Sequence, residues 1–66
     1  MRKLTYKIVE ETDRTQSIKW IEFITDRSPM WTESQYLRNR SNTTMELVGD
    51  EETEEKEPLS REVKLG

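Results

Sequence analysis

The sequence predicts a small α+β fold: a three-stranded sheet with one packed helix, in the order strand, strand, helix, strand. Three observations support this prediction. An alternating apolar pattern opens the chain, β-branched and aromatic residues dominate the next apolar segment, and a helix-start signal follows it. The chain also contains no alanine, the residue that most favours helix, so its composition argues against an all-helical fold.

The first predicted strand is "KLTYKIVE", residues 3–10. Every second side chain is apolar, which is the pattern of a strand with one buried face. The apolar face carries Leu4, Tyr6 and Ile8. The opposite, polar face carries Lys3, Thr5 and Lys7.

The second predicted strand is "IKWIEFIT", residues 18–25, which follows the polar, turn-favouring run "ETDRTQS". Its Ile, Trp, Phe and Thr residues suit a pleated sheet, so a hairpin with the first strand is expected. The isoleucines at 18, 21 and 24 also fit one face of a helix, and a short apolar run leaves that alternative open.

A helix is predicted from about residue 32 to Arg40. Thr32 and Gln35 have the spacing of a capping box, and Trp31 and Tyr36 occupy the two positions of a hydrophobic staple. The last turn of this helix would hold basic side chains, which favour the negative end of the helix dipole.

An earlier helix start is the alternative, with Ser28 as the cap and Pro29 as the first helical residue. After the helix, the polar run "SNTT" ends it, and "TMELV", residues 44–48, is predicted to be the last short strand.

The charge distribution divides the chain into a compact α+β domain, 1–49, and an acidic tail, 50–66. The first part holds eight basic and seven acidic side chains, and the second holds three basic and seven acidic ones. All five aromatic residues precede residue 49. The run "GDEETEEKEP" has no apolar residue to offset the entropy lost on ordering, so the tail is predicted to be largely disordered.

The composition argues against an enzyme and against a bound cofactor or metal. There is no histidine and no cysteine, and no nucleophile stands beside a base at a recognisable spacing. The single internal glycine, Gly49, excludes a phosphate-binding loop, and "DEETEE" lacks the ligand spacing of a calcium loop. The absence of cysteine and of a long apolar run favours a cytoplasmic protein with no membrane contact.

A protein-binding surface is predicted at Trp31, Tyr36, Arg38 and Arg40. Trp, Tyr and Arg are the residues most enriched at binding hot spots, and these four lie within ten positions of one another. The alternative is that Trp31 and Tyr36 only cover a small core. A chain of 66 residues without disulfides or zinc buries little surface, so support from a protein partner or a homodimer is also expected.

An alternative function is DNA binding through Lys3, Thr5 and Lys7. If residues 14–26 and 32–48 were both helices, the layout strand, helix, helix would resemble the ribbon-helix-helix repressors and antitoxins. That resemblance implies a dimer whose paired strands insert their polar faces into the major groove.

The first choice of function is a small, non-enzymatic binding protein that inhibits or regulates another macromolecule. Its size, its lack of catalytic residues and its acidic tail resemble the small host-takeover and anti-defence proteins of bacteriophages, which act in the host cytoplasm. This likeness is one of scale and composition.

Overall fold

The structure, a computed structural model, describes residues 1–64 and bears out the α+β class with an antiparallel sheet and a helix. Its elements in chain order are β1 (Arg2–Glu11), β2 (Gln16–Thr25), α1 (Pro29–Leu37), β3 (Thr43–Glu52) and β4 (Leu59–Val63). Within the described residues the sheet has four strands in the order β3-β1-β2-β4, and all neighbours are antiparallel. The prediction of three strands is therefore wrong.

Strands β1 and β2 form the predicted hairpin, so residues 18–25 are strand rather than helix. The turn is held by Thr12 and Thr15: the Thr12 amide donates to the Thr15 carbonyl at 2.8 Å, and the Thr15 amide donates to the Thr12 hydroxyl at 3.1 Å. Strand β2 lies between β1 and β4 and has apolar side chains on both faces, which explains why its sequence also fits a helix.

The core lies between the sheet and α1. Leu4, Tyr6 and Ile8 are fully buried, as their alternation predicts. The rings of Tyr6, Phe23 and Tyr36 follow one another edge to face, with centroids 5.8 Å and 5.9 Å apart, and so join β1, β2 and the helix.

Helix α1 begins at Pro29, so the start predicted near Thr32 is wrong and the earlier alternative is confirmed. The Ser28 hydroxyl accepts a hydrogen bond from the Trp31 amide at 3.1 Å, which is the cap interaction. Proline suits the first helical position because its fixed φ is helical and its missing N–H has no partner there. Thr32 is buried one turn later, and its hydroxyl donates to the Ser28 carbonyl at 3.0 Å.

The helix ends at Leu37, three residues before the predicted end at Arg40, so the prediction of two arginines in its last turn is also wrong. Asn39 follows with a φ of 65°, in the left-handed region that asparagine tolerates better than most residues. The Arg40 amide then donates to the Leu37 carbonyl at 3.0 Å.

Residues 50–52 and 59–63 belong to strands, so the prediction of disorder is wrong for both segments. Strand β3 runs through residue 49 with a bulge opposite Thr5 and Tyr6. Its acidic end pairs with the basic start of β1: the Arg2 side chain binds Asp50, and the Lys3 ammonium lies 2.7 Å from the Glu51 carboxylate. Residues 65–66 of the predicted tail lie outside the described residues.

The two faces of the sheet differ. Helix α1 packs on the face that carries Leu4, Tyr6 and Ile8, called here the helix face. The register places Lys3, Thr5, Lys7 and Val9 on the other side, called here the open face. The segment 53–58 connects β3 to β4 across the end of the sheet that begins with Arg2.

Candidate functional site

A shallow groove of about 280 Å³ lies between the start of α1 and strand β4. Its lining is mostly apolar and comes from β2, from the first turns of the helix, and from the start of β4. The groove is lined by Phe23, Ile24, Trp31, Thr32, Pro58 and Leu59, among others. We call this feature the Trp31 groove.

Trp31 forms one wall of the Trp31 groove and keeps 44% of its surface exposed. Trp31 has one contact at its backbone and one at its ring. Its backbone amide is fixed by the Ser28 cap, and the Arg27 guanidinium lies 5.1 Å from the ring centroid. Leu59, on the opposite wall, is 39% exposed. A tryptophan and a leucine that are both partly exposed therefore line the same apolar groove.

Tyr36, Arg38 and Arg40 lie at the other end of the helix. Tyr36 is half-buried, with its ring against Phe23. Arg40 lies over Tyr36, 4.4 Å from the ring centroid, and donates from Nη1 to the Tyr36 carbonyl at 2.6 Å. Arg38 is exposed at the helix C-cap. Trp31 thus lies in the first turn of α1 and Tyr36 in its last turn, whereas Arg38 is the C-cap and Arg40 lies beyond the helix.

Lys3, Thr5 and Lys7 lie on the open face, but the ribbon-helix-helix layout that made them DNA-binding candidates is wrong. Residues 16–25 and 43–48, which that layout requires to be helical, lie in strands β2 and β3 of the sheet. The helical alternative depended only on the spacing of apolar residues. Both segments instead pair with β1 as antiparallel strands, one on each side of it.

The end of the open face near Lys3 carries a network of ion pairs. Glu22 is the central carboxylate, only 14% exposed at its side chain, and it lies 3.9 Å from the Lys3 ammonium and 3.2 Å from the Arg61 guanidinium. Lys3 also pairs with Glu51 at 2.7 Å, and Arg61 with Glu55 at 3.3 Å. Lys3 and Arg61 therefore each lie between two carboxylates, which offset their positive charge.

These contacts act on the ionisation of the groups involved. The hydrogen bond to Glu51 raises the pKa of Lys3, and the hydrogen bond to Glu22 raises the pKa of Arg61. On the helix face, burial and then the hydrogen bond to Glu33 raise the pKa of Tyr6 above its usual range. All three groups stay in their usual protonation state at neutral pH, so none of them is tuned for proton transfer.

Sequence reasoning missed the apolar part of the open face. Trp20 pairs with Lys7 on one side and with Val63 on the other, and in the next row Val9 pairs with Ile18. The signal was present: with Ile21 and Phe23 assigned to the core, a period of two places Ile18 and Trp20 on the opposite face. Ile18 is 46% exposed.

Within residues 1–64 no three side chains that bind metals gather into one group. The helix among these residues is not long and apolar enough to cross a membrane. In comparisons with protein families, curated proteins and solved structures, no match to the chain was found.

Proposed function

We propose that this chain is a non-enzymatic binding protein that inhibits or regulates another protein, and that the Trp31 groove holds a side chain of that partner. The observation that carries the proposal is the 44% exposure of Trp31 at the wall of an apolar groove. Tryptophan is among the residues that contribute most to binding when a partner covers them.

The size of the groove favours a protein partner over a small-molecule substrate. Pockets for small molecules enclose about 300–1,000 Å³ and bury most of the ligand. The Trp31 groove, at about 280 Å³, lies below that range and is open to solvent. It has room for one or two side chains of a larger molecule whose remaining contacts lie outside it.

We include Tyr36, at the C-terminal end of α1, and Arg38 and Arg40, just beyond it, in the proposed surface. Arg40 is held against Tyr36 by its hydrogen bond and by the ring, so its guanidinium is already ordered before a partner arrives. An ordered arginine loses less entropy on binding than a free one, which favours affinity. Arg38 is exposed beside it and supplies a second positive charge.

The proposal is tested by quantitative capture of a partner from a lysate of the source cells, with the tagged chain and two variants. Trp31→Ala removes the exposed ring, and we expect it to weaken capture tenfold or more, equivalent to about 1.4 kcal/mol. Arg14→Ala, in the distant hairpin turn, is the matched control and should capture as well as the original.

Circular dichroism of both variants excludes loss of fold as the cause. If Trp31→Ala captures the same partner as strongly as Arg14→Ala does, the groove is not the binding site. If the original chain captures no protein above the level of an untagged control, the proposed function is wrong.

A further inference from the structure

The end of the open face near Val9 carries an apolar patch, and helix α1 packs on the opposite face of the sheet. Ile18 is 46% exposed in this patch, and its other members are half-buried. Its members are neighbours across three strands in the register of the sheet. They are Val9 on β1, Ile18 and Trp20 on β2, and Val63 on β4. We call this set the Trp20 patch.

The chain exposes more surface than its mass predicts. A compact monomer of 8.0 kDa exposes about 4,450 Å². This chain exposes 5111 Å², an excess of roughly 650 Å². That excess is close to the ~800 Å² that each partner contributes to a standard protein interface. The excess is therefore of the size that one subunit contact would cover.

The core is correspondingly small. Among residues 1–64, four apolar side chains are fully buried or nearly so: Leu4, Tyr6, Ile8 and Ile24. Three of them lie on the helix face, so the open face contributes little to the stability of a single copy. Small domains without disulfides or structural metals commonly gain the missing stability by oligomerisation.

We propose that a second copy of this chain covers the Trp20 patch and forms a two-fold symmetric dimer by packing sheet against sheet. A two-fold axis along the strands, between β1 and β2, would place β1 of one copy opposite β2 of the other. Each Val9 then faces Ile18 of the second copy, and each Lys7 faces the ring of its Trp20, a favourable cation–π arrangement.

The register of the outer strands brings no like charges together in this arrangement. In the same arrangement β3 of one copy lies opposite β4 of the other, so Glu46 faces Val63 and Gly49 faces Arg61 of the second copy. No carboxylate meets a carboxylate and no cation meets a cation across these rows. Self-association through one shared patch is the geometry of an isologous interface.

The mass of the untagged chain is measured by sedimentation equilibrium over a concentration range from micromolar to near-millimolar. The expected result is a species of twice the 8.0 kDa monomer mass at the upper end. Ile18→Glu places a charge in the patch and should weaken the dimer 100-fold or more. Met30→Glu, a charge at an 81% exposed site on the helix, is the matched control and should leave the dimer unchanged.

A second measurement covers the case in which Ile18→Glu fails to fold. In a Trp31→Phe background, Trp20 is the remaining tryptophan, and its emission should shift to shorter wavelength as the dimer forms. A chain that stays monomeric throughout, a dimer that persists in a folded Ile18→Glu variant, or a Trp20 emission that ignores dimer formation would each overturn the proposal. The Trp31 groove shares no residue with the Trp20 patch, so these outcomes leave the proposed function unaffected.

Discussion

Replacing Tyr6 by Phe tests the contact that fixes the helix on the sheet. The Tyr6 hydroxyl lies between two acceptors, 3.0 Å from the Glu33 carboxylate and 3.2 Å from the Pro29 carbonyl. The ring is fully buried, and phenylalanine keeps it in place while removing the hydroxyl that contacts both acceptors. A hydrogen bond to a charged group contributes about 1.5–3 kcal/mol, and the half-buried position of Glu33 reduces this, so we expect a loss of about 1–2 kcal/mol.

Thermal unfolding followed by circular dichroism measures this loss. In a domain of this size, 1 kcal/mol corresponds to a shift in melting temperature of about 4–8 °C. Tyr36→Phe is the control, because it removes a hydroxyl from the half-buried end of the same aromatic cluster, and its expected effect is within about 0.5 kcal/mol.

The effect of Tyr6→Phe on the unfolding free energy should also change with pH in a predictable direction. Burial raises the pKa of Tyr6, so the folded state keeps the phenol neutral where the unfolded chain, with a pKa near 10, ionises. The contribution of this group is fully present below about pH 10 and is lost as the pH rises further. The difference in unfolding free energy between the original and Tyr6→Phe should narrow by about 1.4 kcal/mol between pH 9 and pH 11. A difference that is absent at pH 7, or that widens at high pH, would refute the assignment of the hydroxyl as a buried donor.

Three further variants test other parts of the account. Ser28→Ala should lower the unfolding free energy by about 1 kcal/mol, because it removes the helix cap. Ser34→Ala changes an exposed serine inside the same helix and should not have this effect. Equal effects of the two variants in denaturant unfolding would contradict the observed helix start. Changing Arg38 and Arg40 together to Ala should keep the melting temperature within about 4 °C of the original while weakening partner capture tenfold or more, and unchanged capture would remove both from the binding surface. Glu22→Gln should destabilise the chain more at low ionic strength than in about 1 M salt, since it removes the shared carboxylate of the ion-pair network; a salt-independent effect would argue against that network.

The hairpin and the buried face of β1 could be predicted from the sequence because both follow from local patterns. Leu4, Tyr6 and Ile8 alternate with polar residues, and that period directly gives the buried face. The β-branched and aromatic content of 18–25 favoured strand, and pairing with β1 agrees with it. The helix was located, but its start was misplaced, since Thr32 and Ser28 both carry cap signals and only the backbone decides between them.

The fourth strand could not be predicted, because its stability comes from pairing rather than from its own residues. The segment 59–63 is short and mixed in polarity, and it is ordered by an edge of β2 that the sequence does not reveal. The acidic residues at 50 and 51 were interpreted as part of a disordered tail, although Arg2 and Lys3, nearly fifty positions earlier, bind them. The Trp31 groove was only half predicted for the same reason: Trp31 was identified, but its opposite wall, Leu59, belongs to the fourth strand.

Site-specific photo-crosslinking tests the central claim, that a protein partner binds at the Trp31 groove, most directly. A photoreactive phenylalanine analogue replaces one residue at a time, at Trp31, at Leu59 on the opposite wall, and at Arg14 in the distant turn. We expect one and the same crosslinked partner from Trp31 and Leu59 after irradiation in source cells, and none from Arg14. A partner that crosslinks from Arg14 but from neither wall of the groove would contradict it.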